Sequence, residues 1–305
     1  MGRIAEALKK AERERRETMR DTAPRSPVEL LEPTSASSVA EPRSESGEPA
    51  ASAHPVRAPA EGMAESLVTY FDSSSVIAEQ YRSLRTRLLS MNPNGDHRAI
   101  AITSAVPREG KSVTAMNLAM SLAEIQHLRV LAIDGDFRRS SLSRLLNQPS
   151  DPGLADMLRG QATYEDIVQS TPIGNLSFIA AGRTGNRSAA ELLSSEAMVL
   201  TFRRLQAQYH YVIVDTPPAT TVTDVGIIGQ LCSAVLVVVR MNRTPGPVVR
   251  RAVRMLQVNN ISVAGCVPVG SVERSSRYGY YYGYSPYYRY YKYYRKDDEK
   301  QGGGP

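Results

Sequence analysis

Three short stretches combine residue types and spacings suited to phosphate chemistry. After the apolar run Ala99–Thr103 comes SAVPREGKS, and Ala105-x-x-x-x-Gly110-Lys111-Ser112 then opens the helical stretch VTAMNLAMSLAEI. Strand, loop and helix N-terminus in that order gather orphan N–H groups and the positive end of a helix dipole, which favours bound phosphate. Gly110 lets the backbone approach a phosphate without a Cβ clash. Alanine stands where the usual pattern has its first glycine. The candidate ATP contacts are Val106, Pro107, Arg108, Glu109, Gly110, Lys111, Ser112 and Val113. Lys111 is placed to reach the β- and γ-phosphates, and the Ser112 hydroxyl to ligate Mg²⁺.

Two further stretches supply carboxylates. VLAIDGDFRR ends an apolar strand with Asp134 and Asp136, followed by Arg138. Strand residues two apart point to one side, so both carboxylates can leave the sheet edge together. One would hold a metal through water and the other accept a proton from a hydroxyl; Arg138 would keep one of them ionised or orient it. YVIVDTPP puts Asp215 at the end of a buried strand, as a metal-positioning carboxylate of a phosphate-loop protein would be. Asp224, in TTVTDVG, reads first as the N-cap of the following helix.

Alternating elements must hold these residues. Strands are predicted at Ala99–Thr103, Val130–Asp134, Leu176–Ala180, Tyr211–Asp215, Ala234–Val239 and Ile261–Val267. Helices are predicted at Val76–Ser90, Lys111–Ile125, Ser141–Leu146, Ala189–Tyr209, Asp224–Gln230 and Gly246–Val258. Strands such as AVLVVV are apolar on both faces, as a parallel sheet covered by helices requires. The expected class is α/β: a P-loop NTPase-type, doubly wound, mostly parallel sheet with helices on both faces.

The 305 residues carry a formal charge of +6 and divide by composition into four zones. Residues 1–20 hold seven basic and four acidic side chains, with Ile4, Ala5, Leu8 and Ala11 at helical spacing. This amphipathic helix would be either a solvated element or a docking helix for a partner or an anionic membrane surface. Residues 21–75 form a Pro/Ser/Ala/Glu-rich tether; its most biased part, 21–66, has seven Pro and no aromatic residue, too little apolar area to offset its ordering entropy. Residues 76–270 are expected to form the globular phosphate-loop domain. Residues 271–305 form a flexible tail in which Tyr278, Tyr280, Tyr281, Tyr282, Tyr284, Tyr287, Tyr288, Tyr290, Tyr291, Tyr293 and Tyr294 crowd into seventeen positions. Two cysteines, both in apolar runs where a buried thiol is expected, exclude a disulfide scaffold, and four scattered His argue against zinc. The longest apolar run, Ala234–Val239, falls far short of the roughly 18 residues of a membrane span. With no signal-peptide core at the start of the chain, a reducing, cytoplasmic setting is expected.

Taken together, AVPREGKS, VLAIDGDFR, YVIVD and the tyrosine-rich end resemble the bacterial tyrosine kinases of capsule and exopolysaccharide synthesis (the BY-kinase family), whose Walker A, Walker A′ and Walker B motifs these match. Glu79, Arg82 and Arg85, in AEQYRSLRTRLL, match the family's E-x-x-R-x-x-R motif and lie along one helix face. The resemblance implies an ATP-dependent autokinase in which that face builds a ring-shaped homo-oligomer and each tail is offered to a neighbour's active site. Lys111, Asp136, Asp134 and Arg138 would be catalytic, Asp136 taking the tyrosine proton; Ser112, Asp134 and Asp215 would hold Mg²⁺; the eleven tail tyrosines would be the autophosphorylation sites. Arg108 stands where the family commonly has glycine, and GCVPVGSV lacks an Asn often seen there. GRIAEALKKAERER also resembles the start of kinases found with exosortase-linked polysaccharide loci.

With no membrane span, the chain looks like the split form of that family. The expected partners are a separate transmembrane activator of the chain-length-regulator type and a cognate tyrosine phosphatase, not nucleic acid. The expected location is cytoplasmic, peripheral at the inner face of the membrane. The alternative is a MinD/ParA-like ATPase that positions a membrane or cargo complex. Val106, where partitioning ATPases carry a signature Lys, and the clustered tyrosines argue against it.

Overall fold

The computed structural model describes residues 62–221 and 223–270. The predicted N-terminal helix, the tether up to residue 61 and the tyrosine tail lie outside the described residues. The described elements, in chain order, are α1 Val68–Phe71, α2 Val76–Ser90, β1 Arg98–Ser104, α3 Lys111–Ala123, β2 Val130–Asp134, α4 Ser141–Leu146, α5 Leu154–Leu158, α6 Tyr164–Ile167, β3 Val168–Ser170, β4 Leu176–Ile179, α7 Ala189–Leu193, α8 Glu196–Gln208, β5 Tyr211–Asp215, α9 Asp224–Leu231, β6 Ala234–Arg240, α10 Gly246–Val258 and β7 Val263–Val269.

Seven strands form one sheet in the order β3-β4-β2-β5-β1-β6-β7. Every neighbouring pair is parallel except β3 with β4. Alternate strand residues enter opposite cores. Ala99, Ala101, Leu131, Ile133, Val212 and Val214 meet α5 and α7–α10, while Ile100, Ile102, Val130, Ala132 and Ile213 meet α1–α4. Both faces are therefore covered, which is why β2 and β5 are buried at every position. Phe178 on β4 is fully buried, and truncating such a side chain to alanine removes about 3–5 kcal/mol.

The chain departs from the sequence expectation in several places. Residues 62–75, assigned to the tether, belong to the folded body: Leu67 is fully buried. Buried Asn117 of α3 ties this segment down, its Oδ1 accepting from Thr69 N–H (3.0 Å) and its Nδ2 donating to Ser66 O (3.0 Å). The single helix predicted over 189–209 is two, because Ser195 takes an extended backbone and caps α8 by accepting from the Met198 N–H. The last strand starts at Val263, two residues later than predicted, since Ile261 is buried against Gly229 of α9. Of the two cysteines, Cys266 on edge strand β7 is exposed, not buried.

Candidate active site

The site lies where β1, β2 and β5 end side by side. Register sets Asp134 of β2 opposite Asp215 of β5, and Asp215 opposite Ile102 of β1. Two residues past β1 the chain enters the loop that closes on Gly110, whose φ of +94° is left-handed and suits glycine. Gly135, between the two aspartates, is needed for another reason. Its N–H donates to the Asp215 carbonyl (2.8 Å), and a Cβ there would lie 2.8 Å from that same oxygen. The Asp-Gly-Asp turn can hug β5 because it has no side chain at its centre.

Lys111, the first residue of α3, bridges the carboxylates. Its Nζ donates to Asp136 Oδ2 (3.1 Å), Asp215 Oδ1 (3.2 Å) and the Ser112 hydroxyl (3.4 Å). All three charged residues are buried. Burial alone would lower the Lys111 pKa, but the charges of Asp215 and Asp136 outweigh it and hold the ammonium above the ordinary lysine range. Asp134 is pushed up to about 8, first by burial and then by the charge of Asp215. Asp215 is raised to about 6, chiefly by burial, with Lys111 and Ser112 opposing the rise.

Asp134 and Asp136 do not share one role, although they leave the sheet together. Asp134 turns back into the fold, accepting from the N–H groups of Asp136 (3.2 Å) and Leu142 (2.9 Å). Asp136 faces Lys111. Three buried carboxylates around one ammonium leave a surplus of negative charge in a dry place. That surplus, beside the Ser112 hydroxyl, suits a hard divalent cation whose remaining ligands come from phosphate and water. Among the described residues no group of three or more His, Cys, Asp or Glu forms a metal site by itself.

A cleft of about 370 Å³ opens over Lys111 and Ser112, and none of the three aspartates lines it. Pro107, Arg108, Gly110, Lys111, Ser112 and Val113 line one side; Arg139, Ser141, Arg144, Leu145 and Pro218 line the rest. Two of the eight predicted nucleotide contacts, Val106 and Glu109, are not in its lining. The Glu109 carboxylate turns away and accepts from the Val106 N–H (2.9 Å).

Arg138 does not orient Asp134 or Asp136 through its side chain as expected. Its backbone N–H donates to Asp136 Oδ1 (3.3 Å), while its guanidinium reaches Asp224 Oδ2 (3.4 Å). Asp224 is correspondingly not an N-cap. Thr223 holds that position, and Asp224, 1% exposed, has no hydrogen-bond partner for its Oδ1 among the described residues. The sequence signal available was weak: an Asp inside the first turn of an otherwise apolar helix.

On the far side of α3, the Glu79, Arg82 and Arg85 face does not simply meet water. Arg82 donates to Glu79 (3.2 Å) and, through Nε and Nη2, to Glu124 (2.9–3.2 Å). Arg85 pairs with Glu124 at 2.6 Å. Glu124, the C-cap of α3, is absent from the sequence motif; although burial opposes it, the two guanidiniums hold its carboxyl below the usual range.

Comparisons with known proteins follow this geometry. A family model described as an AAA domain matches residues 97–244. The tyrosine-protein kinase YwqD of Bacillus subtilis is 31% identical over 220 residues, which cover 72% of this chain and 92% of YwqD. The chain belongs to the bacterial tyrosine-kinase (BY-kinase) family. A longer relative, the succinoglycan biosynthesis transport protein ExoP of Rhizobium meliloti, is 30% identical over 68% of this chain, which spans 28% of ExoP. Among solved structures, the kinase domain of the Escherichia coli tyrosine kinase ETK superposes with a TM-score of 0.65 at 27% identity, covering 72% of this chain and 84% of that domain. For this BY-kinase, no helix among the described residues is long and apolar enough to cross a membrane.

Proposed function

We propose that this chain is an ATP-dependent protein-tyrosine autokinase that phosphorylates the tyrosine-rich end of another copy and so regulates exopolysaccharide or capsule synthesis and export. The observation that carries the reading is the Lys111 ammonium held between Asp136 and Asp215 at the floor of a cleft whose wall is the phosphate loop. The loop and Lys111 bind and orient the ATP phosphates. A tyrosine hydroxyl, with a pKa near 10, attacks poorly at neutral pH, and Asp136 accepts its proton. The phenolic oxygen then bonds to the γ-phosphorus as the bond from that phosphorus to the β-phosphate oxygen breaks, leaving phosphotyrosine and ADP. Lys111 offsets the charge that develops on the phosphoryl oxygens. Ser112, Asp134 and Asp215 would hold Mg²⁺, which when bound neutralises phosphate charge.

The helix face of Glu79, Arg82 and Arg85 supports assembly into a ring. A separate transmembrane activator would bring the kinase to the membrane, and a phosphatase would reset the tail. Phosphates add about −1.5 to −2 charge each, so a few reverse the sign of a tail that has seven Lys/Arg against four Asp/Glu. Incubating the full chain with Mg-ATP and mapping phosphotyrosine by mass spectrometry, beside Lys111→Met and Asp136→Asn, tests the reading. Phosphotyrosine confined to the unaltered protein supports it. ATP hydrolysis with no tyrosine modified would favour the MinD/ParA-like alternative instead.

A further inference from the structure

Glu109 is part of the phosphate loop, yet its side chain serves something else. It is 2% exposed. Oε2 accepts from the Val106 N–H at 2.9 Å. Oε1 accepts from the backbone N–H of Arg240 at 3.3 Å and from the Thr244 hydroxyl. A carboxylate this deep ordinarily needs a cation beside it. Among the described residues Glu109 has no ion pair; it is satisfied by two backbone amides and one hydroxyl, drawn from both the loop and the turn after β6.

One other contact joins the same parts. The Arg240 guanidinium donates to the Arg108 carbonyl at 3.5 Å, and Arg108 has a left-handed φ of +65° that a side chain rarely adopts. The turn is in its turn fastened to the end of β7: Met241 N–H donates to Val269 O (2.8 Å). A Cβ on Gly110 would lie 3.7 Å from Val269 Cγ2. Val269 is two residues before position 271, where the tyrosine-rich zone begins. The phosphate loop, the 240–244 turn and the root of the tail are thus in contact, and the Glu109 carboxylate is the buried polar group that spans the first two.

We propose that Glu109 is a positioning residue that latches the phosphate loop to the 240–244 turn and couples nucleotide binding to the end of β7, next in sequence to the tyrosine-rich zone. It rests on the nucleotide reading of the cleft. Linkage makes the coupling reciprocal: a nucleotide that needs the latched loop also holds the turn in place. The same hydrogen bonds explain how Arg108 is kept in its unfavourable backbone conformation where the family commonly has glycine.

The test uses the full chain, dephosphorylated, with a fluorescent ADP as the binding probe. Three variants are compared: Glu109→Gln, Thr244→Val and Thr244→Ser. Glu109→Gln weakens ADP binding about five- to fiftyfold, the range for stranding buried donors. Thr244→Val weakens it less, and Thr244→Ser, which keeps the hydroxyl, stays near the unaltered chain. Steady-state kinetics show the loss in KM for ATP more than in kcat. In the unaltered chain ADP slows amide hydrogen exchange in 240–244 and 263–270, and Glu109→Gln abolishes that protection. ADP affinities within twofold of the original in both Glu109→Gln and Thr244→Val overturn the latch while leaving the kinase reading intact. So does Thr244→Ser behaving like Thr244→Val. If Glu109→Gln does not fold, the two Thr244 variants decide alone. An unaltered chain that binds no ADP overturns both the latch and the nucleotide reading.

Discussion

The two ends of α3 carry ionic clusters built from the same kinds of side chain, and they are opposites. At the N-terminal end one ammonium, Lys111, meets Asp136 and Asp215 with Asp134 behind, all buried. At the C-terminal end two guanidiniums, Arg82 and Arg85, meet Glu79 and Glu124, with side chains between 16% and 39% exposed. The second cluster balances its charges and is wetted by solvent, so it is comfortable as it stands. The first is over-supplied with negative charge and shut away from water, so Asp134 and Asp215 are driven toward the neutral form. A folded protein keeps such an arrangement where a ligand brings the missing positive charge, or where a reaction needs a carboxylate ready to take a proton.

The largest expected difference between the clusters is in activity. Lys111→Met should lower autophosphorylation by about a thousandfold or more, and Asp136→Asn by about 10²–10⁴-fold, as for loss of a charge stabiliser or a general base. Radiolabelled phosphate transfer to the tail measures both. Glu124→Gln, made in the neutral half of the contrast, should leave the rate of phosphoryl transfer within about threefold when assayed on dilute chains presented with a saturating tyrosine peptide. A Glu124 variant as inactive as Asp136→Asn would erase the distinction.

Next comes stability against pH, without nucleotide and with EDTA present. Burial raises both Asp134 and Asp215 well above an ordinary carboxyl near 3.8, Asp134 the further of the two. Between the ordinary and the raised values the folded chain binds more protons than the unfolded chain, so stability must fall as pH rises. The contribution is fully present below about pH 4 and is lost progressively up to about pH 8. Thermal unfolding from pH 5 to pH 8.5 should therefore show a falling Tm. Asp134→Asn, which removes the most displaced carboxyl, should flatten that slope and raise the Tm at pH 8 by about 3 °C or more. A wild-type Tm that climbs over this range would contradict the description of the buried cluster. The Glu124 cluster has the opposite sign: its lowered carboxyl contributes stability above the ordinary pKa and loses it on acidification.

A smaller effect is expected from that cluster. Its pairs are partly exposed, so Glu124→Gln should cost no more than about 1 kcal/mol in urea unfolding, shrinking in 0.5 M salt. The same substitution removes the negative charge that Arg82 and Arg85 share. Sedimentation of the full chain should then show whether self-pairing through Glu124 competes with assembly: if it does, Glu124→Gln shifts the population toward larger species, and if Glu124 is needed between subunits, toward monomer.

The contrast also separates what was readable in the chain from what was not. Val130–Asp134, Tyr211–Asp215 and Val76–Ser90 match their predicted limits, because each is bounded by local chemistry: apolar runs ending in Asp, or a Ser75 hydroxyl that caps α2. Lys111 with its aspartates was legible for the same reason, each at the end of its own strand or at a helix start. Partners chosen by tertiary contact were not. Nothing in the local sequence links Glu124 to Arg82 42 residues earlier, or Glu109 to Thr244 135 residues later. Leu67 looked like part of a tether because its burial depends on Asn117 of a distant helix. The missed ends, α1 and α5–α6, are helices of four or five residues, too short for apolar periodicity to show.

The smallest expected effect sits at the rim of the buried cluster, at Arg108. Its left-handed backbone costs about 1–2 kcal/mol for a residue with a Cβ, and glycine removes that cost. Glycine also loosens the unfolded chain by about 0.5–1 kcal/mol, which offsets much of the gain. Arg108→Gly should therefore be stabilising by no more than about 1 kcal/mol in urea unfolding. Arg108 lines the cleft, so KM for ATP should rise about two- to fivefold at low salt and converge with the original in 0.5 M salt, where screening shortens the reach of a surface charge to a few ångströms. A KM shift that persists at high salt would mean that Arg108 touches the phosphates directly, and would move it from the rim of the buried cluster into the binding machinery itself.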